Sequence, residues 1–144
     1  LAARRAGVAL WRQLGGRESV RVYASGLGPD QPEQLAAQKL EEGYRAVKVK
    51  VGFDAATDAR NLRALRDLLG TDNALMVDAN QRWTPAQAAI AGEAFAEFKL
   101  EWLEEPIPAD EAVEHWQTLA RTLATPLAAG ENLRGVESFS SATP

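Results

Sequence analysis

Short apolar runs rich in β-branched residues alternate with longer helical patterns from about residue 20 onward. Five runs predict β-strands: Val20–Ala24, Ala46–Val51, Ala74–Ala79, Leu100–Glu104 and Pro126–Ala129. Between them, apolar residues recur at helical spacing, as Leu62, Leu65 and Leu69 do. This alternation predicts an α/β fold, because a crossover helix makes consecutive strands parallel and brings their carboxyl ends to one edge of the sheet.

Residues at the borders of the helical patterns support this division. Cap or first-turn residues precede four of the helices: Asp30 with Pro32, Asp54, Thr84 with Pro85, and Asp110. Gly43 and Gly70 stand where two of the helices should stop. The first segment, Leu1–Leu14, predicts one further helix that ends at Gly15 and Gly16.

The composition fits one globular unit and excludes several kinds of partner. A net charge of −4 is the opposite of the basic face that nucleic-acid binding needs, and it would repel an anionic membrane. No apolar run approaches the roughly 18 residues of a membrane span. The chain has no cysteine, which excludes disulfides and thiolate ligands and agrees with a cytoplasmic location. A metal would therefore bind carboxylates or the single histidine, His115, which we expect at the surface of an outer helix.

Two lysines share one face of the second predicted strand. Lys48 and Lys50 alternate with three valines, so the two ammonium groups lie on the face opposite the valines. Because helices cover the apolar face of a parallel sheet, we expect the lysines to face the barrel interior or an open crevice. The alternative is an edge strand on which lysine prevents pairing with another chain.

Acidic residues stand at the ends of the next three strands. Asp78 follows Lys50 by 28 residues, Glu104 follows Asp78 by 26 and Glu131 follows Glu104 by 27, which is about one strand-helix unit each time. A single acid there would be an ordinary cap or loop residue, but three in register should meet at one sheet edge. At the fourth strand the pattern itself does not choose between Glu104 and Glu105.

Three converging carboxylates repel one another unless a cation binds between them. Hard oxygen donors without His or Cys favour Mg²⁺, and Mn²⁺ can replace it. A metal and a second ammonium also disfavour the charged form of a lysine, which lowers its pKa toward neutrality and lets it act as a general base. The pattern therefore predicts removal of a proton alpha to a carboxylate, with the metal stabilising the negative charge that develops.

Four motifs together resemble the enolase superfamily, and within it the mandelate racemase subgroup. They are Lys48-Val49-Lys50, Asp78-Ala79-Asn80, Trp102-Leu103-Glu104-Glu105-Pro106 and Gly130-Glu131-Asn132. The resemblance covers residues 10–140 and implies the central part of a TIM-type (β/α) barrel, with about five parallel strands and truncated at both ends. Residues 1–18 are then the helix and turn that lead into the barrel, and residues 19–144 are the incomplete barrel domain.

The resemblance also implies a role for each residue at the strand ends. The metal ligands are Asp78, Glu104 and Glu131, where the first acidic position of the fourth-strand motif selects Glu104. The catalytic lysines are Lys50, as the base, and Lys48, which lowers the pKa of Lys50 and contacts the substrate carboxylate. Asn80 and Asn132 lie beside the metal and contact its ligands or the substrate.

The implied reaction is Mg²⁺-dependent abstraction of the alpha proton of a small carboxylate substrate. We expect dehydration of a sugar acid or racemisation of a 2-hydroxy acid, and favour dehydration. A cycloisomerase or epimerase would share the same half-reaction, and a non-catalytic half-barrel that assembles with another chain is the alternative from another class. An open flavodoxin-like sheet fits less well, because Gly26-Leu27-Gly28-Pro29 lacks a phosphate-binding glycine pattern.

The length bears on what this chain can do alone. A complete barrel of this type has about eight strands. At the spacing of these motifs, about eight strand-helix units need a longer chain than 144 residues. We therefore expect a truncated chain that lacks a capping domain and the opposing acid or base, and that is inactive by itself. The full-length protein is expected to be a homo-oligomer.

Overall fold

The computed structural model describes residues 1–142, which form a parallel sheet covered by helices. The strands are β1 (Ala24–Leu27), β2 (Ala46–Lys50), β3 (Ala74–Asp78), β4 (Leu103–Glu104) and β5 (Leu127–Ala128). The helices are α1 (Ala2–Ala6), α2 (Leu10–Gln13), α3 (Pro32–Glu41), α4 (Ala55–Leu69), α5 (Pro85–Phe95), α6 (Val113–Thr122) and α7 (Gly135–Ala142), with a 3-10 turn at Ala96–Phe98.

Each strand pairs in parallel with the next strand along the chain, in the order β1-β2-β3-β4-β5. Helices connect the consecutive strands, which is the repeated unit of a TIM-type barrel. The predicted fold, an α/β partial barrel with about five parallel strands, is confirmed within residues 1–142. Residues 143 and 144, the end of the predicted domain 19–144, lie outside the described residues.

The register of the sheet brings the candidate site residues into one row. Lys50 lies opposite Asp78 across the pairing of β2 with β3, and Asp78 lies opposite Glu104 across the pairing of β3 with β4. Glu104 is paired with Ala128 of β5, so Glu131 follows this row by three residues and belongs to the loop after β5. The strand ends therefore assemble residues that are far apart in the chain.

The valines of β2 face the helices and its lysines face the opposite way. Val47 and Val49, together with Val51 just after the strand, are buried in a core that also contains Leu62 and Leu65 of α4. Because β2 pairs with β1 on one side and with β3 on the other, it is not an edge strand, and the edge-strand explanation of the lysines is wrong.

Local signals place several helix ends correctly. Asp54 accepts a hydrogen bond from the Thr57 N–H and caps α4, which ends at Leu69 with Gly70 as its C-cap. Thr84 and Gln87 form a capping box at the start of α5. Gly43, at φ 99°, follows the last turn of α3 as predicted.

Other boundaries differ from the prediction. Asp30 and Asp110 are not caps, because Gln31 and Ala112 occupy those positions. The predicted helix Leu1–Leu14 is split into α1 and α2, since Gly7 adopts a left-handed conformation that ends the first helix.

The first strand begins at Ala24 rather than at Val20. Val20 and Val22 are 76% and 64% exposed. Ala24 already pairs with Val47, so earlier residues would extend past the start of β2 at Ala46 and have no strand to pair with. Strand propensity without a partner does not make a strand. The fourth and fifth strands, Leu103–Glu104 and Leu127–Ala128, are likewise shorter than predicted.

Within residues 1–142 no helix combines the length and the apolar content that crossing a bilayer requires.

Candidate metal centre and active site

Three carboxylates converge at the carboxyl ends of β3, β4 and β5. One oxygen from each of Asp78, Glu104 and Glu131 lies within 4.8 Å of the others. Asp78 is fully buried, Glu104 is partly buried and Glu131 is exposed. Parallel strands place their carboxyl ends at one edge, which is why acids about one strand-helix unit apart meet here. Glu105, the other acid of the fourth-strand motif, is not in this group.

Both lysines of β2 bind this carboxylate group. The Nζ of Lys48 lies 2.6 Å from Oε1 of Glu104 and 3.4 Å from Oδ2 of Asp78. The Nζ of Lys50 lies 2.7 Å from the same Asp78 oxygen. The Lys48 side chain is 8% exposed and that of Lys50 is 32% exposed, so a small molecule at the strand ends reaches Lys50 more easily.

The ion pairs shift the pKa values of two of these groups. Burial lowers the pKa of Lys48, but the hydrogen bond to Glu104 and the charges of Glu104 and Asp78 outweigh it, and the pKa is raised. Burial raises the pKa of Asp78, but hydrogen bonds from Lys50 and the Asn80 N–H and the charges of both lysines outweigh it, and the pKa is lowered. In the metal-free protein, Lys48 is therefore held as an ammonium and Asp78 as a carboxylate.

Asn80 connects the base candidate to the buried acid. Its Oδ1 accepts a hydrogen bond from Lys50 at 2.6 Å, and its backbone N–H donates to Oδ1 of Asp78 at 2.9 Å. Asn80 has φ 45°, a left-handed conformation that asparagine tolerates better than most residues. Asn80 thus lies beside Lys50 and Asp78, and its place beside a bound metal or substrate stays a prediction.

Asn132 makes a different set of contacts. Its side-chain amide donates to Oε2 of Glu105 at 2.7 Å, and its backbone N–H donates to Oε1 of the same residue at 3.3 Å. A place for Asn132 beside a bound metal stays a prediction. Glu105 itself is 1% exposed and was missed as a contributor to this edge. The available sequence signal was the second acid of the Glu104-Glu105-Pro106 run. Because successive side chains of an extended chain point to opposite sides, Glu105 is directed away from Glu104.

Trp102 opens the fourth-strand motif, but no role was predicted for it from the sequence. Its indole N–H donates to Oε2 of Glu104 at 3.0 Å, so both oxygens of Glu104 have donors. The Tyr23 ring meets Trp102 edge-on at 5.5 Å, and the Lys48 Nζ lies 5.5 Å from the Tyr23 ring centre. The sequence signal was position: Trp102 directly precedes β4 and lies two residues before Glu104, so alternation along the extended chain sends both side chains to the same side.

Two buried polar side chains of α4 anchor the loops that follow β1 and β2. The Asn61 amide donates to the Pro29 carbonyl at 2.7 Å, and Asp58 accepts from the Gly52 N–H at 2.8 Å. Burial raises the pKa of Asp58 despite hydrogen bonds from the backbone of Gly52 and Phe53. The available sequence signal was the pair Asp58 and Asn61, two polar residues three positions apart on the otherwise apolar face of α4.

His115 lies at the surface, as expected. Its side chain is 50% exposed, and its Nδ1 lies 2.8 Å from Glu111 on the same face of the helix region. It takes no part in the carboxylate group, which is formed by acids alone.

Comparison with known proteins places this geometry in a family. Residues 32–143 match the family described as Enolase C-terminal domain-like. The chain belongs to the enolase superfamily. Within it, the chain groups with the mandelate racemase/muconate lactonizing enzymes, since a crystal structure of such an enzyme from Bordetella bronchiseptica RB50 is 49% identical and superposes with a TM-score of 0.94. That superposition covers 99% of this chain and 39% of the Bordetella chain.

Two curated relatives in the superfamily catalyse different reactions, according to their names. A 3,6-anhydro-alpha-L-galactonate cycloisomerase from Streptomyces coelicolor is 39% identical over 96% of this chain and 40% of its own length. An L-talarate/galactarate dehydratase from Salmonella typhimurium is 41% identical over 91% of this chain and 34% of its own length. The chain therefore spans well under half of the length of these relatives.

The donor set of the site fits magnesium. Three carboxylates at the ends of adjacent strands are hard oxygen ligands, and they leave positions for water or substrate around a six-coordinate ion. The L-talarate dehydratase from Polaromonas sp. JS666 was solved in complex with Mg and L-glucarate. It is 37% identical, with a TM-score of 0.91 over 99% of this chain and 42% of that enzyme. Magnesium is thus the cofactor that both the site chemistry and the structural neighbours support.

Proposed function

We propose that the full-length polypeptide containing this chain removes the alpha proton of a sugar acid in the presence of Mg²⁺ and dehydrates it. The observation that carries the proposal is the convergence of Asp78, Glu104 and Glu131 within 4.8 Å beside two lysines. The names of the dehydratases from Salmonella and Polaromonas support dehydration, and the L-glucarate in the latter supports a small dicarboxylate substrate.

In this proposal, Asp78, Glu104 and Glu131 hold the metal, which when bound acts as a Lewis acid toward the substrate carboxylate. Lys50, as a neutral amine, takes up the alpha proton at Nζ and becomes an ammonium. It suits this role because its side chain is one-third exposed at the open end of the sheet and is oriented by the Oδ1 of Asn80. Proton transfer by a positioned side chain contributes about 10²- to 10⁴-fold to a rate.

Lys48 has a separate part in the proposal. Its ammonium is buried, lies on Glu104 and has a raised pKa, so it supplies a fixed positive charge rather than a base. That charge stabilises negative charge on a substrate carboxylate nearby. The two lysines thereby divide the work according to their exposure.

Cycloisomerisation is the second candidate, and racemisation the third. The Streptomyces relative supports cycloisomerisation, and the Bordetella neighbour supports racemisation. All three reactions start from the same proton abstraction, so the base Lys50 and the three carboxylates keep their roles in each. Inactivity of the 144-residue chain alone, homo-oligomerisation of the full-length protein and a cytoplasmic location stay predictions.

The proposal is tested by incubating the full-length polypeptide with Mg²⁺, galactarate, L-talarate or glucarate in deuterated water. Alpha-proton exchange is followed by NMR and products by mass spectrometry. We expect exchange and loss of water in the wild type, and a loss of exchange of at least about 100-fold in Lys50→Met. Lys39→Met, which removes a surface lysine paired with Glu42, is the matched control. Equal exchange in Lys50→Met and in the control would contradict Lys50 as the base.

A further inference from the structure

Glu105 is a buried acid that the proposed mechanism does not use. It follows β4 directly, is 1% exposed and has φ 41°, a left-handed conformation that a glutamate rarely adopts. Its backbone N–H donates to the Ala128 carbonyl at 2.9 Å, and its carbonyl accepts from the Gln81 N–H at 2.7 Å. The backbone of Glu105 therefore joins the loop after β3 to strand β5.

The side chain of Glu105 extends this connection to the loop after β5. Both of its oxygens accept hydrogen bonds from Asn132: Oε2 from the side-chain amide at 2.7 Å and Oε1 from the backbone N–H at 3.3 Å. Asn132 is the residue directly after Glu131. One buried carboxylate thus holds the neighbour of a candidate metal ligand at two atoms.

Glu131 needs such support more than the other two ligands. Asp78 and Glu104 are the last residues of β3 and β4, whereas Glu131 lies beyond β5 and is exposed. Within residues 130–134, the Leu133 N–H donates to the Gly130 carbonyl, and the Arg134 guanidinium donates to the carbonyls of Glu131 and Leu133. The two hydrogen bonds that Asn132 donates to Glu105 join this segment to the residue that follows β4.

We propose that Glu105 is a positioning residue for Glu131. By binding Asn132 at two donors, it holds the loop after β5 so that the Glu131 carboxylate stays within 4.8 Å of Asp78 and Glu104. The inference rests on the proposed function, because it takes these three acids as the metal ligands. Residues that orient metal ligands typically change metal affinity about 10- to 100-fold when mutated.

The polarity of the contact makes the proposal testable without a change in side-chain volume. Asn132 offers two N–H donors, and a glutamate accepts both. Glu105→Gln has one oxygen and one NH₂ group, so one of the two contacts becomes donor against donor. Adding Asn132→Asp reverses the direction of the side-chain hydrogen bond. The amide introduced at position 105 then donates to the aspartate at position 132, and the amide oxygen still accepts from the backbone N–H of position 132. The double variant therefore restores the pair with the charge on the other residue.

The experiment measures Mn²⁺ binding to the full-length polypeptide by electron paramagnetic resonance. We expect Glu105→Gln to weaken binding about 10- to 100-fold and the double variant to recover most of it. Asn132→Asp alone faces one carboxylate with another and should also bind weakly, so added negative charge does not account for the recovery. Glu101→Gln is the matched control, since it removes the same charge from an exposed residue before β4 and should bind as the wild type does.

Hydrogen–deuterium exchange of the metal-free protein gives a second readout that is independent of metal. Exchange in residues 129–134 should be faster in Glu105→Gln and should slow again in the double variant. Should Glu105→Gln fail to fold by circular dichroism, Asn132→Ala removes the bond to Oε2 from the exposed side and should show the same two effects more weakly.

Wild-type Mn²⁺ affinity in Glu105→Gln would overturn the proposal, as it would in Asn132→Ala where that variant is used. Unchanged hydrogen exchange in residues 129–134 would also overturn it, and so would a double variant that does not recover Mn²⁺ affinity. Failure of the wild type to bind Mn²⁺ at all has a different meaning. It would contradict the metal site and with it the proposed function, while the exchange measurement still reports whether Glu105 holds the loop.

Discussion

The Nζ of Lys50 lies 2.7 Å from Oδ2 of Asp78, its direct partner across the pairing of β2 with β3. Lys48 reaches the same oxygen at 3.4 Å. A fully buried carboxylate at the strand ends is thus held between two ammonium groups in the metal-free protein. A bound dication and the two lysines would therefore compete for one oxygen atom of Asp78. Metal binding at this edge thus depends on whether the lysines are charged.

Acid should destabilise the metal-free protein through Asp78. Its pKa lies below the usual 3.8, so the stability from its contacts is complete above the unfolded-state pKa and is lost as pH falls through the folded-state value. Lys50→Met removes the hydrogen bond that lowers this pKa. We expect the variant to lose less free energy of unfolding than the wild type between about pH 4 and about pH 2, by urea denaturation in EDTA.

The control for this measurement is Lys39→Met, which loses an exposed pair with Glu42 and should follow the wild type, because surface ion pairs contribute little. If Lys50→Met kept the acid dependence of the wild type, Lys50 would not be the cause of the lowered pKa of Asp78.

Asp58 should show the opposite pH dependence. Burial raises its pKa above 3.8, so the wild type loses stability as pH rises from the unfolded-state pKa to the folded-state pKa. Asp58→Asn has no charge to bury. The stability of Asp58→Asn relative to the wild type should therefore increase as pH rises from about 3 to about 7, because only the wild type has to bury a charge. Asp67→Asn, an exposed change on the same helix, should show no such trend; a flat difference for Asp58→Asn would rule out this account.

Trp102→Phe should weaken metal binding through Glu104. The change keeps an aromatic ring beside Tyr23 but removes the N–H that donates to Oε2 of Glu104 at 3.0 Å. We expect Mg²⁺ affinity, measured by calorimetry on the full-length polypeptide, to fall about 10-fold. Trp83→Phe, in a tryptophan that packs against Phe95, should alter stability and not affinity. Equal affinities in the two variants would mean that the indole N–H does not orient Glu104.

Gly52→Ala should destabilise the loop between Lys50 and α4. Gly52 has φ 88°, and an added Cβ would lie 3.0 Å from the Arg82 side chain. The left-handed conformation costs an alanine about 1–2 kcal/mol, which urea denaturation should report. Gly28→Ala is the matched control, because no atom lies within 4 Å of its added Cβ and its φ is not positive. A Gly52→Ala protein as stable as this control would show that the loop adopts another conformation.

The sequence by itself determined the α/β class, the alternation that puts Lys48 and Lys50 on one face of β2, and the caps Asp54 and Thr84. These features depend on residues close together in the chain, which periodicity and capping chemistry report directly. The meeting of Asp78 with Glu104 was also predictable, because parallel strands share an edge and each acid ends a strand.

Only the tertiary structure decided that Val20 and Val22 stay outside the sheet, because a strand needs a partner and β2 begins too late to pair with them. It likewise decided that Glu105 is buried against Asn132 and that Asp58 is buried against Gly52. Each of these outcomes depends on which polar groups meet across the fold. A buried polar group takes whichever partner packing brings to it, and no local pattern in the chain encodes that partner.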